Sequence, residues 1–407
     1  MKVSQLFTKT QKTYPKDEVS ISSQLLIRGG FIDKVSAGIY TLLPLGLKVA
    51  DNLIKIIREE MEAIGGQEIL MPGLVPKANW VQTGRWENFD ALFKLKGADE
   101  KEYALGATHE EIISPLAKKF VLSYKDLPLY LFQIQNKFRN ELRAKSGVLR
   151  TREFLMKDLY SFHVDEEDLD RYYEKVKAAY WKILARAGIK DKTYFTFASG
   201  GDFTKYSHEF QTEAEGGEDE IYVCRKCRTG LNREIVQGEY KCPQCGEKEY
   251  DLKKCIEVGN IFKLKTKFSQ PFGLSYKDKN DREKPVEMGC YGLGVQRLMG
   301  TIIEVSHDEK GMIWPSEAAP YQVYFISLIE DRKKAEEIYQ TISAKASVLF
   351  DDREVSAGEK FAEADLIGLP YRIVLSEKTK EKIELKKRGS GETELLTPEA
   401  VLGRIRQ

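Results

Sequence analysis

Two segments with alternating apolar and polar residues flank one charged turn region, and their pairing limits the fold more than any other feature. LYLFQIQNKFRNEL alternates in part, as a half-buried strand does, and SGVLRTREFLMKDLYSF reads as its antiparallel partner. AKSG, residues 144–147, is the turn region between them. Across this hairpin runs FRNELRAKSGVLRTREFLMKD, residues 138–158, with four arginines and two glutamates followed by FLM. A plain amphipathic helix does not need this pattern. A hairpin that grips a polyphosphate and a flat base could use all of it.

The rest of the chain places this hairpin in an α+β domain with an antiparallel sheet. A helix is expected over residues 47–64, with Leu47, Leu53, Ile54, Ile57, Met61 and Ile64 roughly on one face and Gly65-Gly66 ending it. QEILMP reads as a short strand stopped by Pro72. EDLDRYYEKVKAAYWKILARAGI reads as a long helix ended by Gly188. Near Ser199 the composition turns to glycine and acid (ASGGDF, EAEGGEDE) and cysteine pairs follow. Regular structure resumes at CIEVGNIFKLKTKF and continues to CYGLGVQRLMGTIIEV, and GMIWPSEAAP reads as a linker. From Tyr321 strands and helices alternate, then a hairpin and the helix PEAVLGRIRQ close the chain. That alternation marks a small α/β domain with a mainly parallel sheet.

Bulk properties narrow the function. The 407 residues suffice for two or three domains, and a net charge of +1 leaves nucleic-acid binding to local patches. No apolar run is long enough for a membrane span, and the N-terminal MKVSQLFTKTQKTYPKDE lacks the apolar region of a secretory signal. Six cysteines, four of them in two C-x-x-C pairs, argue against a disulfide scaffold and for a reducing, cytoplasmic setting.

Three constellations carry chemistry, and each has a plainer reading beside it. Arg139 and Glu141 lie two apart, on one face of a strand, where they form a salt bridge or serve a phosphate and a base or Mg²⁺. Phe154 on the return strand is a core ring or a stacking platform. In GCYGLGVQR, residues 289–297, Gly292 and Gly294 let the backbone approach a ligand closely, and Arg297 in the first turns of a helix can reach a terminal phosphate or simply lie on the helix surface. In GATHEE, residues 106–111, Thr108 and Glu111 have the spacing of a helix capping box, while Thr108 and Glu110 suit a substrate ammonium.

Together these pieces resemble the class II aminoacyl-tRNA synthetases, specifically the bacterial-type prolyl-tRNA synthetase family. Residues 138–158 are similar to its motif 2, GCYGLGVQRLMG to motif 3, and AGIYTLLPLGLKV through EILMPGLVP to motif 1, ending in Pro72. SHEFQ with GGEDE, IEVGNIF and LFDDREVSAGEKFAEADLIGLP are further family-like blocks. The resemblance covers nearly the whole chain. It implies a proline–tRNA ligase that forms prolyl-adenylate from proline and ATP with Mg²⁺, then transfers prolyl to tRNA(Pro). It implies that Arg139 binds the α-phosphate and the amino-acid carboxylate, that Glu141 contacts ATP, and that Glu257 is a candidate for the Mg²⁺ site. Phe154 would stack on adenine, Arg150 would serve the nucleotide or the acceptor end, and Arg297 would hold the γ-phosphate. Thr108 and Glu110 would receive the imino group of proline. Met156, Asp158 and Tyr160 would line the proline pocket with Cys290 nearby. A homodimer follows from the family's motif 1 role. The implied fold is a class II catalytic core with an antiparallel sheet (1–198 and 256–318), a small zinc-ribbon-like insertion (199–255) and a C-terminal α/β anticodon-binding domain (319–407). In that last domain the KTKEKIELKKR run is a phosphate-contact candidate or a solvated face, and Asp351, Arg353 and Lys360 are weaker candidates for base readout.

The chain also departs from the family. Many bacterial members carry a large editing domain between motifs 2 and 3, and this interval is too short to hold one. It contains CRKC (Cys224, Cys227) and CPQC (Cys242, Cys245), separated by 14 residues. That spacing is a zinc-ribbon signal, since four thiolates close a tetrahedral structural Zn²⁺ site. Asn260 stands where the family usually has histidine, and Lys263 and Lys265 replace its glutamine and glycine. The rival readings are a sister enzyme for threonine, serine or glycine, and a synthetase-like RNA-binding protein without catalysis. The first would need a zinc inside its pocket for threonine. The second could lose Arg139 or Arg297, and both are present.

Overall fold

The computed structural model describes all residues except 15, 143, 145, 202–205, 380–381 and 406–407. Lys145 of the expected turn, Lys380 and Glu381 of the lysine-rich run and the last two residues of the expected final helix therefore lie outside the described residues. The helix expected over 47–64 runs Pro44–Ala63 (α1). Among the described residues no helix is long and apolar enough to cross a membrane. The chain forms two compact units, one of Ser36–Ile39 with Ile54–Thr301, the other of Met1–Val35, Tyr40–Leu53 and Ile302–Gln407.

The first unit is built on a nine-stranded sheet. Its strands in chain order are Gln67–Glu68 (β1), Leu129–Phe138 (β2), Glu153–His163 (β3), Thr193–Ser199 (β4), Tyr206–Glu213 (β5), Asp219–Cys224 (β6), Gly230–Asn232 (β7), Tyr250–Lys265 (β8) and Glu287–Gly294 (β9). Their order is β5-β4-β7-β6-β8-β9-β3-β2-β1, and β5 also pairs with β8. The hairpin of β2 and β3 is antiparallel, as the alternation predicts. QEILMP contributes only Gln67 and Glu68, in parallel with β2, so the strand stops well before Pro72. β5 and β6 lie within the glycine- and acid-rich interval and continue the main sheet.

A long helix covers one face of this sheet, and on the other a short helix packs over Tyr160, Phe162, Met288 and Cys290 and leaves the rest to a cavity. Glu166–Arg186 (α3, following Glu110–Ala117 as α2) starts at Asp165, whose carboxylate caps the Asp168 N–H, and places acids in its first turn. Its buried stripe includes Tyr172, Val176, Tyr180 and Ile183. Lys157, at an odd position of β3, donates to the Tyr180 hydroxyl at 2.6 Å and the Tyr291 carbonyl at 2.9 Å. The odd positions thus face the helix. The even positions, Phe154 to Tyr160, face the opposite side. Val295–Val305 (α4) follows β9 directly.

In the second unit, Val323–Ser327 (β10), Val348–Asp351 (β11), Tyr371–Leu375 (β12), Ile383–Lys387 (β13) and Thr393–Leu396 (β14) form a sheet of order β11-β10-β12-β13-β14. The first three strands are parallel and the closing hairpin is antiparallel, so the sheet is mixed where a mainly parallel one is expected. Arg332–Ser343 (α5), Ala357–Ile367 (α6) and Pro398–Ile405 (α7) complete it. Phe325, Ile342, Phe350, Ile373 and Val401 belong to its core. GMIWPSEAAP is not an exposed linker. Trp314 is buried and its ring stacks on Phe31 at 5.3 Å, and Ala318 and Ala319 are buried too.

Candidate active site

Strand register builds the floor of a cavity of about 450 Å³. Opposite each other on β3 and β9 stand Tyr160 and Cys290, Asp158 and Gly292, Met156 and Gly294. On the outer neighbours, Gln133 of β2 faces Asp158 and Asn260 of β8 faces Gly292. Direct partners share a face, so Gln133, Asp158, Gly292 and Asn260 form one stripe across four strands. A Cβ on Gly292 would meet Met156 Sδ at 3.6 Å, an ordinary contact. The glycine leaves room above the floor and relieves no clash.

Charged groups stand at one end. Arg139 lies just past β2, and its N–H still pairs with the Arg152 carbonyl at 2.8 Å. Its guanidinium lies 5.3 Å from the Phe154 ring centroid. Burial, then the nearby Arg297 charge, lowers its pKa, but a guanidinium remains cationic. Arg297 is in the first turn of α4, donating to the Leu149 carbonyl at 2.8 Å and the Glu257 carbonyl at 3.0 Å. Its Nη1 lies 3.5 Å from the Glu257 carboxylate.

The expectation that Arg139 and Glu141 share a strand face is overturned. β2 ends at Phe138, and the Glu141 N–H turns back to the Arg139 carbonyl at 2.7 Å. Glu141 instead accepts from Arg150 Nε at 2.8 Å, and Arg150 reaches Glu218 at 3.0 Å. Arg150 is thus a clasp between two carboxylates at the rim.

Asn260 bridges two acids, donating to Glu257 at 3.1 Å and Glu209 at 3.3 Å. Burial, then the Glu257 charge, pushes Glu209 up to about 9. Burial raises Glu257 as well, with Arg297 opposing. Lys263 and Lys265, the other two departures, pair with Asp170 and Glu166 of α3 and take no part in the cavity.

The other end is a buried polar cluster. Asp158 accepts from Gln133 at 3.0 Å and Tyr160 at 2.9 Å, and faces the Lys137 ammonium at 2.8 Å as an ion pair outside good hydrogen-bond alignment. Burial pushes the Asp158 carboxyl up, but Lys137 and then His109 outweigh it and leave it below its ordinary value. Burial, then Lys137, holds His109 down at about 4, so its imidazole is neutral. Thr108 donates to Glu110 at 2.5 Å and Cys290 donates to the other Glu110 oxygen at 3.2 Å.

The capping box does not form. α2 starts at Glu110 with His109 as N-cap and no side-chain cap bond, while Glu111 is taken by Thr83 and Arg85. Thr108, Arg139, Glu141, Arg150, Phe154, Met156, Asp158, Glu257, Cys290, Gly292, Gly294 and Arg297 all line the cavity. Glu110 and Tyr160 are fully buried just behind that wall. Sequence reading misses Lys137, Gln133 and Arg85. For the first two the signal is a run of polar residues at alternate positions, Gln133, Gln135 and Lys137, inside a strand.

A separate cluster brings together Cys224, Cys227, Cys242 and Cys245, whose sulfurs lie within 4.8 Å of one another. Two pairs, Cys224 with Cys245 and Cys227 with Cys242, are 3.6 Å apart, far beyond a disulfide bond. Four thiolates at about 2.3 Å from one ion have tetrahedral edges of about 3.8 Å. Both knuckles turn alike. The Arg228 and Gly246 N–H groups donate to the Cys224 and Cys242 carbonyls at 2.9 Å, with φ of 60° and 73°. The four thiols could hold a metal ion.

Known proteins match this arrangement. The family described as "tRNA synthetase class II core domain (G, H, P, S and T)" matches residues 93–306, and "Anticodon binding domain" matches 322–407. The proline–tRNA ligase of Thermotoga maritima is 34% identical, over 96% of this chain and 95% of its own length. That match runs over 550 positions, so the relative carries a long stretch with no counterpart here. The proline–tRNA ligase of Dehalococcoides mccartyi is 32% identical over 100% of this chain and 98% of its own. Among solved structures, prolyl-tRNA synthetase of Giardia lamblia with prolyl-adenylate has a TM-score of 0.77 at 20% identity, covering 93% of this chain and 74% of that one. That of Cryptosporidium parvum with halofuginone and AMPPNP has a TM-score of 0.77 at 17% identity, covering 95% and 76%. These two share the fold.

Proposed function

We propose how this chain, which belongs to the proline–tRNA ligase family of class II aminoacyl-tRNA synthetases, performs proline–tRNA ligation with the residues around its cavity. The proline carboxylate attacks the α-phosphorus of ATP, pyrophosphate leaves, and a terminal ribose hydroxyl of tRNA then takes the prolyl group from the adenylate. No covalent enzyme intermediate is needed. Alignment and fixed charge carry the rate.

Arg139 binds the α-phosphate and the proline carboxylate together, a position from which it offsets charge growing on the phosphate oxygens. Arg297 holds the γ-phosphate. Phe154 stacks on adenine, and Glu141 with Arg150 closes over the nucleotide. Gly292 and Gly294 leave the floor open. Thr108 and Glu110 receive the secondary ammonium of proline, and Met156, Asp158, Tyr160 and Cys290 shape its pocket. Glu257, with Glu209 and Asp219 near it, is an oxygen-rich group short of positive charge, which fits Mg²⁺. When bound there the ion neutralises phosphate charge. The four cysteines fit structural Zn²⁺. A homodimer, a cytoplasmic location and the boundaries 1–198, 199–255, 256–318 and 319–407 belong to the same proposal.

One observation carries it. Phe154, Asp158 and Gly292 on one sheet face, Arg139 just past β2 and Arg297 in the first turn of α4 gather around one cavity. The test is ATP–pyrophosphate exchange with proline, alanine, cysteine, threonine, serine and glycine offered separately. Strong preference for proline is expected. Replacing Arg139 or Arg297 by alanine should lower the rate roughly 10²–10³-fold. No exchange with any of them, in folded and metal-loaded protein, would leave the noncatalytic reading.

A further inference from the structure

Behind the wall that holds Thr108 and Cys290 lies a second layer of charge. Arg85 is 5% exposed, and its Nη1 donates to both Glu111 oxygens, at 3.0 and 3.3 Å, and to Glu110 Oε2 at 3.5 Å. Three rings enclose its guanidinium, with centroids at 4.3 Å for Phe89, 5.5 Å for Phe268 and 5.6 Å for Trp80. Such faces hold a planar cation in place. Glu111 is anchored independently, since Thr83 donates to its carboxylate at 2.9 Å and Asn79 to its carbonyl at 2.8 Å.

We infer that Arg85 is a positioning residue for substrate binding, tying the buried carboxylate of Glu110 to the anchored Glu111 and so aiming it at the amine of proline. The inference rests on the proposed role of Glu110. The geometry argues for more than a structural ion pair. One guanidinium stands between two adjacent carboxylates, and burial pushes Glu111 up to about 7 against the pull of Arg85, so the trio lacks the second positive charge that would keep both ionised. A cationic secondary amine arriving on the cavity side supplies it. Glu110 has Thr108 on one oxygen and Cys290 on the other, neither of them charged donors at neutral pH. Arg85 is the cation that fixes this carboxylate from behind. Phe89 both lines the cavity and stacks on the guanidinium, which places Arg85 immediately behind the wall.

The test separates this role from a general structural one. R85K and R85M are compared with wild type in ATP–pyrophosphate exchange, titrating proline and ATP separately, with calorimetric proline binding as a second readout. Hydrogen bonds to charged groups are worth roughly 10–100-fold in binding. R85M should raise the KM and Kd for proline by about that factor and leave the KM for ATP within about threefold. R85K keeps the charge but loses the planar fork, and should recover part of the loss. A proline KM unchanged in a folded variant overturns the inference. So does a KM for ATP that rises by the same factor. If R85M fails to fold by circular dichroism, R85K decides by the same split. Wild type without proline-dependent exchange or proline binding overturns the functional reading and this inference together. Wild type active with indifferent variants overturns the inference alone.

Discussion

Replacing Lys137 by methionine strips the buried Asp158 of its cation. Their side chains are 0% and 3% exposed and 2.8 Å apart. At an effective dielectric of about 20 that separation corresponds to about 6 kcal/mol of attraction. Desolvation of both groups offsets much of it, yet removing one partner leaves a charge stranded, at about 3–5 kcal/mol. The pH dependence follows from the sign of the shift. In wild type the Asp158 carboxyl lies below its ordinary value, so its stabilisation is present above the unfolded pKa of about 3.9 and lost as pH falls through the folded one. Without Lys137, burial dominates and the folded pKa moves above about 3.9. The variant is then weakest at neutral pH and above. It recovers as the carboxyl takes a proton. His109, 3.9 Å from Asp158 and no longer repelled by Lys137, gains affinity for a proton and shifts the result in the same direction. The measurement is urea unfolding between about pH 5 and pH 8, in a Trp314→Phe background. Trp80, Trp86 and Trp181 then report the unit that holds the nine-stranded sheet. K137M should lose about 3–5 kcal/mol at about pH 7.5, lose less at acid pH, and regain most of the deficit in K137M/D158N. A loss under about 1 kcal/mol, a difference independent of pH, or a double variant no better than the single would refute the reasoning.

Gly292→Ala should fold normally, within about 0.5 kcal/mol of wild type, because its methyl meets Met156 at ordinary contact distance. It should raise the KM for ATP or proline about fivefold or more, the scale of overpacking a fitted site; unchanged constants would mean that the floor does not touch substrate. Cys242→Ser removes a buried member of the four-thiol cluster. It should bring bound zinc from about one per chain to near zero and lower the unfolding midpoint, which elemental analysis and a thermal melt check together; metal-free wild type with no response to chelator would contradict this. Alanine should be activated measurably, since each missing methylene is worth about 1–3 kcal/mol. An exchange rate as low as that of unrelated amino acids would count against a pocket of this kind.

What was legible in the sequence was what is written at short range. The β2–β3 hairpin, helix α3 and the alternation in the second unit follow from periods of two and 3.6 and from a stop such as Gly188. The cysteine cluster follows from spacing. The misses have one physical source, contacts distant in sequence. Lys137 at an alternating position reads as solvent-facing, and only Asp158, brought in by the neighbouring strand, explains its burial. Arg85 sits in a stretch without periodicity, and its partners Glu110 and Glu111 are 25 and 26 residues away. Nothing in FRNEL says that the ladder stops at Phe138. The sequence therefore reads as setting Glu141 beside Arg139, whereas it bonds Arg150 across the turn region.

The site depends on register more than on any one motif. Sliding β9 by one residue against β3 would turn Cys290 and Gly292 toward α3 and bring Tyr291 and Leu293 into the cavity. Tyr291 would then fill the space that Gly292 leaves open. Contacts on the helix side oppose that slip. Lys157 bonds the Tyr291 carbonyl, and the Tyr291 hydroxyl lies 3.0 Å from Ser161 Oγ. Lys157 is held in turn by the Tyr180 hydroxyl, with its ammonium 4.3 Å from that ring, and burial lowers its pKa to about 7. A buried ammonium is tolerated because each donor has a defined oxygen or ring to meet, and a shifted strand would remove one. Lys157, Tyr180 and Tyr291 never touch the cavity, yet they fix which residues line it. The two faces of the sheet are therefore coupled: packing against α3 on one side selects the register that opens the floor on the other.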